Sequence, residues 1–444
     1  MPEGSQTISE TVSAVADGRL SSRQWVEYCL ERVRSNEALG SWSFIDEARA
    51  LERADQMDRI RKDGSALGAL HGCPIGVKDI IEVKAMPHGC GSSLMGQVSG
   101  QNAVLVDALE AAGAVILGKT ETTEFAFLNP ARTKNPHSQE YSPGGSSAGS
   151  AAAVASGDVP VAIGSQTNGS VIRPGSYCGV YAMKPSAGII PRIGVFEQSP
   201  TLDQMGLFAM SLEDLGLVTD ALSVHDSRDP HSIGVPRPSC FQGACSEPPM
   251  DPNFAILTLP YSKLQSRACT EGFRELADAL EGQVEVLEAP PMFEELIRAQ
   301  RIIHITEAYR AFDRLGFIGS PHLSSVLAKM LGEGKNIAQN EYEEALEIRA
   351  SAESFFQSFF EDFDAILSPS ASGEAPLFSE GHTGDPIFCT VWTLAGLPTL
   401  NLPIMQGENG LPIGLQMVGR LRDDARLLRT AGWFMTTLFD EGEA

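Results

Sequence analysis

The chain has 444 residues, 43% apolar and 20% charged, the balance of a folded globular protein with a sizeable core. With 33 basic and 57 acidic side chains the net charge is −24, which argues against a nucleic-acid partner and suits solubility. The opening MPEGSQTISE lacks the apolar stretch of a leader, and no apolar run is long enough to span a membrane, so a cytoplasmic protein with no membrane partner is expected.

In chain order, SSRQWVEYCLERVRS begins with a capping box, Ser21 with Gln24, and carries a helical stripe of Trp25, Val26, Cys29, Leu30 and Val33. FIDEARALERADQMDRIRKDG reads as a continuing amphipathic helix that stops at Gly64. GCPIGVKDII is a short apolar run broken by Gly72, Pro74 and Gly76, a buried strand or hairpin arm that places Lys78 in apolar surroundings. AVLVDALEAAG with AVILGKT is a helix, a Gly113 stop and a strand, and SAGSAAAVASG with VPVAIG repeats that order. The stretch 225–254 holds six prolines and little periodicity, and reads as a surface connection between two halves of one domain spanning 1–444. Residues 290–360 read as helical, and DAILSP, PTLNLPI and IGLQMVG as further buried strands. Helices alternating with apolar strands predict an α/β fold: a single large domain with a mostly buried, mixed central sheet covered by helices on both faces.

Eight cysteines are scattered without CxxC or zinc-type spacing, and HExxH is absent, so no metal or other cofactor is expected and the thiols are read as reduced. The chemistry therefore has to come from elsewhere, and the Gly/Ser-rich stretch 143–174 is the place to look. Gly145-Ser146-Ser147-Ala148-Gly149 fits the G-x-S-x-G nucleophile elbow, but HSQEYSPGG before it supplies no buried strand. A phosphate cradle is disfavoured because neither the Lys-Ser/Thr of a P-loop nor G-x-G-x-x-G is present. The third reading joins Lys78, Ser146 and Ser170. A serine hydroxyl needs a base, and burial lets a lysine serve by disfavouring its charged form. Taken singly, Lys78 reads as a snorkelling lysine, Ser146 as a helix cap and Ser170 as a turn residue.

GGSSAGSAAAVASG, then GSQTNGSVIRPGSYCGVYAMKPS, with LHGCPIGVKDII upstream, resembles the amidase signature family. AGAVILGKTETTEFAF, DAILSPS, LAGLPTLNLPI and LPIGLQMVG continue the resemblance in order, over nearly the whole chain. The resemblance implies that Lys78 is the catalytic lysine and that Ser146, following a cis peptide bond, is the bridging serine. It also implies that Ser170 is the nucleophile, with the backbone N–H groups of Thr167, Asn168, Gly169 and Ser170 as the oxyanion hole. Lys184 of MKPS is a rival base at a position read as structural, and Cys178 reads as a buried small residue.

The family's pattern is close to G-T-D-T-G-G-S-I-R. Here Gln166 stands for the Asp, Asn168 for a Gly and Ile172 for the Arg, with Arg173 displaced by one. Loss of an Asp–Arg pair together is coherent, because a lone buried charge is the costly outcome. Asn168 is expected to tolerate a left-handed backbone, and Asn168 and Gln166 are candidate specificity residues. The resemblance implies hydrolysis of a small-molecule amide to acid plus ammonia or amine, with pocket walls expected in 120–142 and 290–390. A homodimer is one expected assembly. The alternatives are the glutaminase component of a tRNA-dependent amidotransferase, which needs a partner subunit, and a catalytically inactive scaffold of the same fold.

Overall fold

The apolar runs become the middle of one sheet. The computed structural model describes residues 7–439; the opening MPEGSQ, and with it part of the reading of the N-terminus, and residues 440–444 lie outside the described residues. Among the described residues the strands are β1 (Trp42–Ile45), β2 (Pro74–Lys78), β3 (Pro87–His88), β4 (Gln97–Val98), β5 (Val115–Thr120), β6 (Val161–Gln166), β7 (Tyr181–Lys184), β8 (Gln204–Ala209), β9 (Phe254–Thr258), β10 (Val284–Glu288), β11 (Ala365–Pro369), β12 (Thr399–Gln406) and β13 (Pro412–Val418). β3 and β4 pair with each other, and the other 11 form one sheet in the order β1-β5-β2-β6-β8-β7-β12-β13-β11-β9-β10.

The sheet is mixed and flanked by helices, as the alternation of elements predicts. β2 runs parallel to both β5 and β6, β9 runs parallel to both β10 and β11, and antiparallel pairs join the remainder. All five residues of β2 are buried between its neighbours, which explains why the strand reads as an unbroken apolar run rather than an alternating one. The second core, built on Phe293, Phe356 and Trp392, packs the helices Met292–Arg314 and Gln339–Asp362 beside the sheet.

The capping box at Ser21 forms with both of its bonds. One boundary differs from expectation. Phe44 and Ile45 belong to β1, which pairs antiparallel with β5, and the helix starts only at Glu47, where the Asp46 side chain accepts from the Arg49 N–H. The open edge of β5 recruits these residues, and tertiary pairing overrides the helical period. The proline-rich stretch leads from the helix Leu212–Leu222 to β9; it is mostly exposed, with Asp229, Cys240 and Gly243 turned inward.

The helix Ala148–Ala155 is nearly all Ala, Gly and Ser for a steric reason. A Cβ on Gly149 would lie 2.2 Å from the Ser41 carbonyl oxygen and 2.4 Å from the Glu121 nitrogen. This close seating delivers the start of the helix to the carboxyl ends of β2 and β6. β5 and β6 lie on opposite sides of β2, the arrangement that opens a crevice beyond the strand ends in α/β sheets.

Candidate active site

Lys78 is the last residue of β2 and its side chain is fully buried. Asp79, next in the chain, is occupied by Lys119, whose Nζ donates to Asp79 Oδ1 at 2.9 Å, so among the described residues no carboxylate pairs with Lys78. Four oxygens surround Lys78 Nζ instead: Ser146 Oγ at 2.7 Å, Ser147 Oγ at 2.9 Å, Ser165 Oγ at 2.9 Å and the Ser165 carbonyl at 3.4 Å. Burial, the largest influence, holds the Lys78 ammonium well below the ordinary lysine range.

Ser146 follows a cis peptide bond from Gly145, and its carbonyl accepts from the Thr122 hydroxyl at 3.1 Å. Ser147 is fully buried, and its Oγ donates to the Ser165 carbonyl at 3.2 Å. That leaves Ser147 no access to a substrate and disposes of the elbow reading. Ser170 ends the loop after β6 and is partly exposed. Its carbonyl accepts from the Ser147 N–H at 3.3 Å, which ties the loop to the serine pair.

The residues that depart from the family's pattern hold this loop. Gln166 is fully buried, and its Oε1 accepts from the N–H groups of Val171 at 2.7 Å and Ile172 at 3.0 Å. Its Nε2 donates to Thr393 Oγ1 at 2.9 Å, and that hydroxyl donates on to the Asn168 carbonyl. The amide thus anchors the turn after Ser170. Asn168 is not left-handed, contrary to expectation. Its side chain explains its presence instead: Oδ1 accepts from Thr390 Oγ1 at 2.9 Å, and Nδ2 reaches Gln300 Oε1 at 3.5 Å. Gly169 is needed for space, since a Cβ there would meet Pro386 at 3.0 Å.

The Asp–Arg pair is not simply lost. Arg173 keeps a guanidinium buried beneath the loop, where Nη2 donates to the Gly145 carbonyl at 2.7 Å and to Thr383 Oγ1 at 3.2 Å. Among the described residues its Nε and Nη1 have no partner, and burial lowers its pKa. Lys184 lies in β7 with its Nζ donating to Gln204 Oε1 at 2.6 Å, a clamp between β7 and β8; burial brings its pKa down to about 7. Cys178 is buried and free.

Ser147 and Ser165, which complete the surroundings of Lys78, are absent from the sequence-derived set, although both stand inside the quoted motifs. Gln300 and His304 on the helix Met292–Arg314, with Thr390 on the helix Ile387–Leu394, fall in the expected wall region, whereas Thr393 on the same helix lies just beyond it. No local pattern marks them, because they meet the loop only through tertiary packing. Among the described residues no group of His, Cys, Asp and Glu is arranged to hold a metal, and no helix is long and apolar enough to cross a membrane.

The sequence profile of the family described as Amidase matches residues 24–428. A glutamyl-tRNA(Gln) amidotransferase subunit of Clostridium botulinum (strain Eklund 17B / Type B) is 31% identical over 446 aligned residues, covering 90% of this chain and 91% of its own. A solved structure described as a vestigial protein complex revealing the evolutionary origins of an s-triazine catabolic enzyme superposes with a TM-score of 0.91 at 26% identity, over 98% of this chain and 99% of that one. The peptide amidase of Stenotrophomonas maltophilia superposes with a TM-score of 0.84 at 25% identity, over 98% and 97% respectively.

Proposed function

Because the chain belongs to the amidase family, whose members here include hydrolases of amide C–N bonds, we propose that it cleaves a small-molecule carboxamide through an acyl-enzyme on Ser170. The observation that carries this reading is the fully buried Lys78 amine, 2.7 Å from Ser146 Oγ and without a carboxylate partner among the described residues. A neutral amine has two N–H groups and one lone pair. Ser147 spends its own proton on the Ser165 carbonyl and so accepts from Nζ; Ser165 Oγ takes the second N–H. The lone pair then faces Ser146, which passes on the proton it receives from Ser170.

Ser170 Oγ attacks the carbonyl carbon, and the N–H groups of Thr167, Asn168, Gly169 and Ser170 receive the developing oxyanion. Each such donor is worth on the order of 10²–10³ in rate. Ser146 returns the proton to the departing amine, and water activated through the same relay releases the acid. Every step uses groups of this chain.

The name of the Clostridium relative favours a second reading, a glutaminase that feeds a tRNA-dependent amidotransferase. Glutamine carries both a carboxylate and an ammonium, and around the Ser170 loop the amides and hydroxyl of Asn168, Gln300 and Thr390 stand beside charged groups, the Asp203 carboxylate that accepts from Thr167 Oγ1 at 2.6 Å and the buried Arg173 guanidinium. The two readings are therefore separated by whether the chain turns over an amide on its own.

Ammonia release from aliphatic, aromatic and ureido amides by the purified chain tests it. Turnover by the chain alone, lost by about 10³-fold or more in Ser170→Ala with the fold retained, is the expected result. Glutaminase activity appearing only with a tRNA-binding partner would favour the second reading. A Ser170→Ala variant as active as the parent would remove Ser170 from the mechanism.

A further inference from the structure

The helix Met292–Arg314 presents Gln300, His304 and Glu307 at i, i+4 and i+7, one stripe facing the nucleophile loop and its supports. Gln300 reaches the Thr167 carbonyl and Asn168 at 3.5 Å, and His304 lies one turn further on, about 6 Å along the axis. The His304 ring stacks on Phe127 with centroids 5.4 Å apart and planes 9° from parallel. Phe127 closes the segment whose Thr123 N–H donates to the Ser146 carbonyl at 3.3 Å. His304 thus stands one turn from a residue that touches the Thr167–Asn168 loop, with its ring against the segment that holds the Ser146 carbonyl.

The tautomer of this histidine is fixed by its neighbour. Gln198 Nε2 donates to the Phe125 carbonyl at 2.6 Å, which leaves Gln198 Oε1, an acceptor only, facing His304 Nε2 at 3.1 Å. The ring must donate there, so Nε2 carries the hydrogen. Burial holds the imidazolium down at about 4, so the ring is neutral and Nδ1 is a bare lone pair. Among the described residues Nδ1 has no partner, and the residue, though largely buried, keeps some exposure.

We propose that His304 Nδ1 accepts an N–H from the part of the substrate remote from the cleaved bond, so that the site selects a diamide or related amide with a second N–H donor. The inference rests on the reading of Ser170 as nucleophile: the cleaved carbonyl goes to the loop N–H groups and the leaving nitrogen to Ser146, and the acyl portion is assigned to the wall that carries Gln300 and His304. Gln198 and Phe127 are positioning residues for the ring.

Malonamide and its N,N-dimethyl mono-substituted analogue are the probes, since both keep one primary amide and only the first has a remote N–H. Binding is measured by calorimetry to Ser170→Ala, with and without His304→Phe or His304→Asn, and kcat/KM is measured with Ser170 intact. The expected preference for malonamide is about tenfold or more in both readouts, roughly one hydrogen bond. It should collapse toward one in His304→Phe and persist in His304→Asn, which keeps an acceptor. Equal binding of the two probes, no binding of malonamide, or a preference unchanged in His304→Phe overturns the proposal. Hydrolysis with no dependence on His304 would leave the Ser170 reading standing, whereas a His304-dependent preference in binding without turnover would sink that reading alone.

Discussion

Gln166 shows what a single side chain can replace. Its carboxamide accepts from two backbone N–H groups that would otherwise be orphaned in a buried turn. In Gln166→Leu both amides lose their acceptor, at about 1–3 kcal/mol each, and the loop bearing Ser170 loosens. The expected outcome is a lower midpoint in thermal unfolding together with reduced kcat; an unchanged midpoint would show that the turn does not depend on this amide. Lys78 gives a prediction of different form. Activity should rise with pH as the buried amine sheds its proton, at a pH below the ordinary lysine value of about 10.4. Lys78→Arg stays charged throughout and should be inactive between about pH 6 and 10; turnover by that variant would rule out a neutral base at this position.

At the scale of elements, the helix Ala148–Ala155 and the contact between the helices Ile8–Ala16 and Leu212–Leu222 make opposite demands. Gly149 has no room for a methyl group against Ser41 and Glu121, so Gly149→Ala should lower the melting temperature sharply or prevent folding. Asp214 accepts from the Ile8 N–H at 2.7 Å, and burial pushes its carboxyl up to about 7, above an unfolded value near 3.9. The folded chain therefore holds an extra proton between about pH 4 and 7, and this group's contribution to stability falls as the pH rises through that window. Asp214→Asn should flatten that decline in denaturant titrations at several pH values; an unaltered slope would assign it to other groups. The legible elements were those with a local cause: the Ser21 capping box, the apolar β2, the small-residue helix. β1 was not legible, because its strand character comes from the edge of β5, 70 residues or more along the chain.

At the scale of the molecule, the positions of Lys78, Ser146 and Ser170 could be drawn from motifs, and the sheet order explains why residues so far apart converge. β2 and β6 are parallel neighbours, and the helix between β5 and β6 starts at their carboxyl ends. What the sequence withholds is the far wall. Gln300, His304, Thr390 and Thr393 come from helices whose periodicity announces only a buried face, and their role depends on which loop that face covers. Arg173 is similar: the chain keeps a buried guanidinium one position along from where the pattern would put it, and only its bond to the Gly145 carbonyl reveals that it supports the Gly145–Ser146 peptide.

The helix Met292–Arg314 touches the Ser170 loop through side chains alone, with Gln300 at 3.5 Å, whereas Lys78 is locked into β2 and Ser146 stands just before a helix with no room for a methyl group at Gly149. Change is therefore cheap on one side of the crevice and nearly forbidden on the other. On the proposed reading, a changed substrate preference follows from exchanging two or three residues along one helical stripe while Lys78 and the serines stay untouched. Libraries confined to positions 300 and 304 are where altered appetite should be sought first.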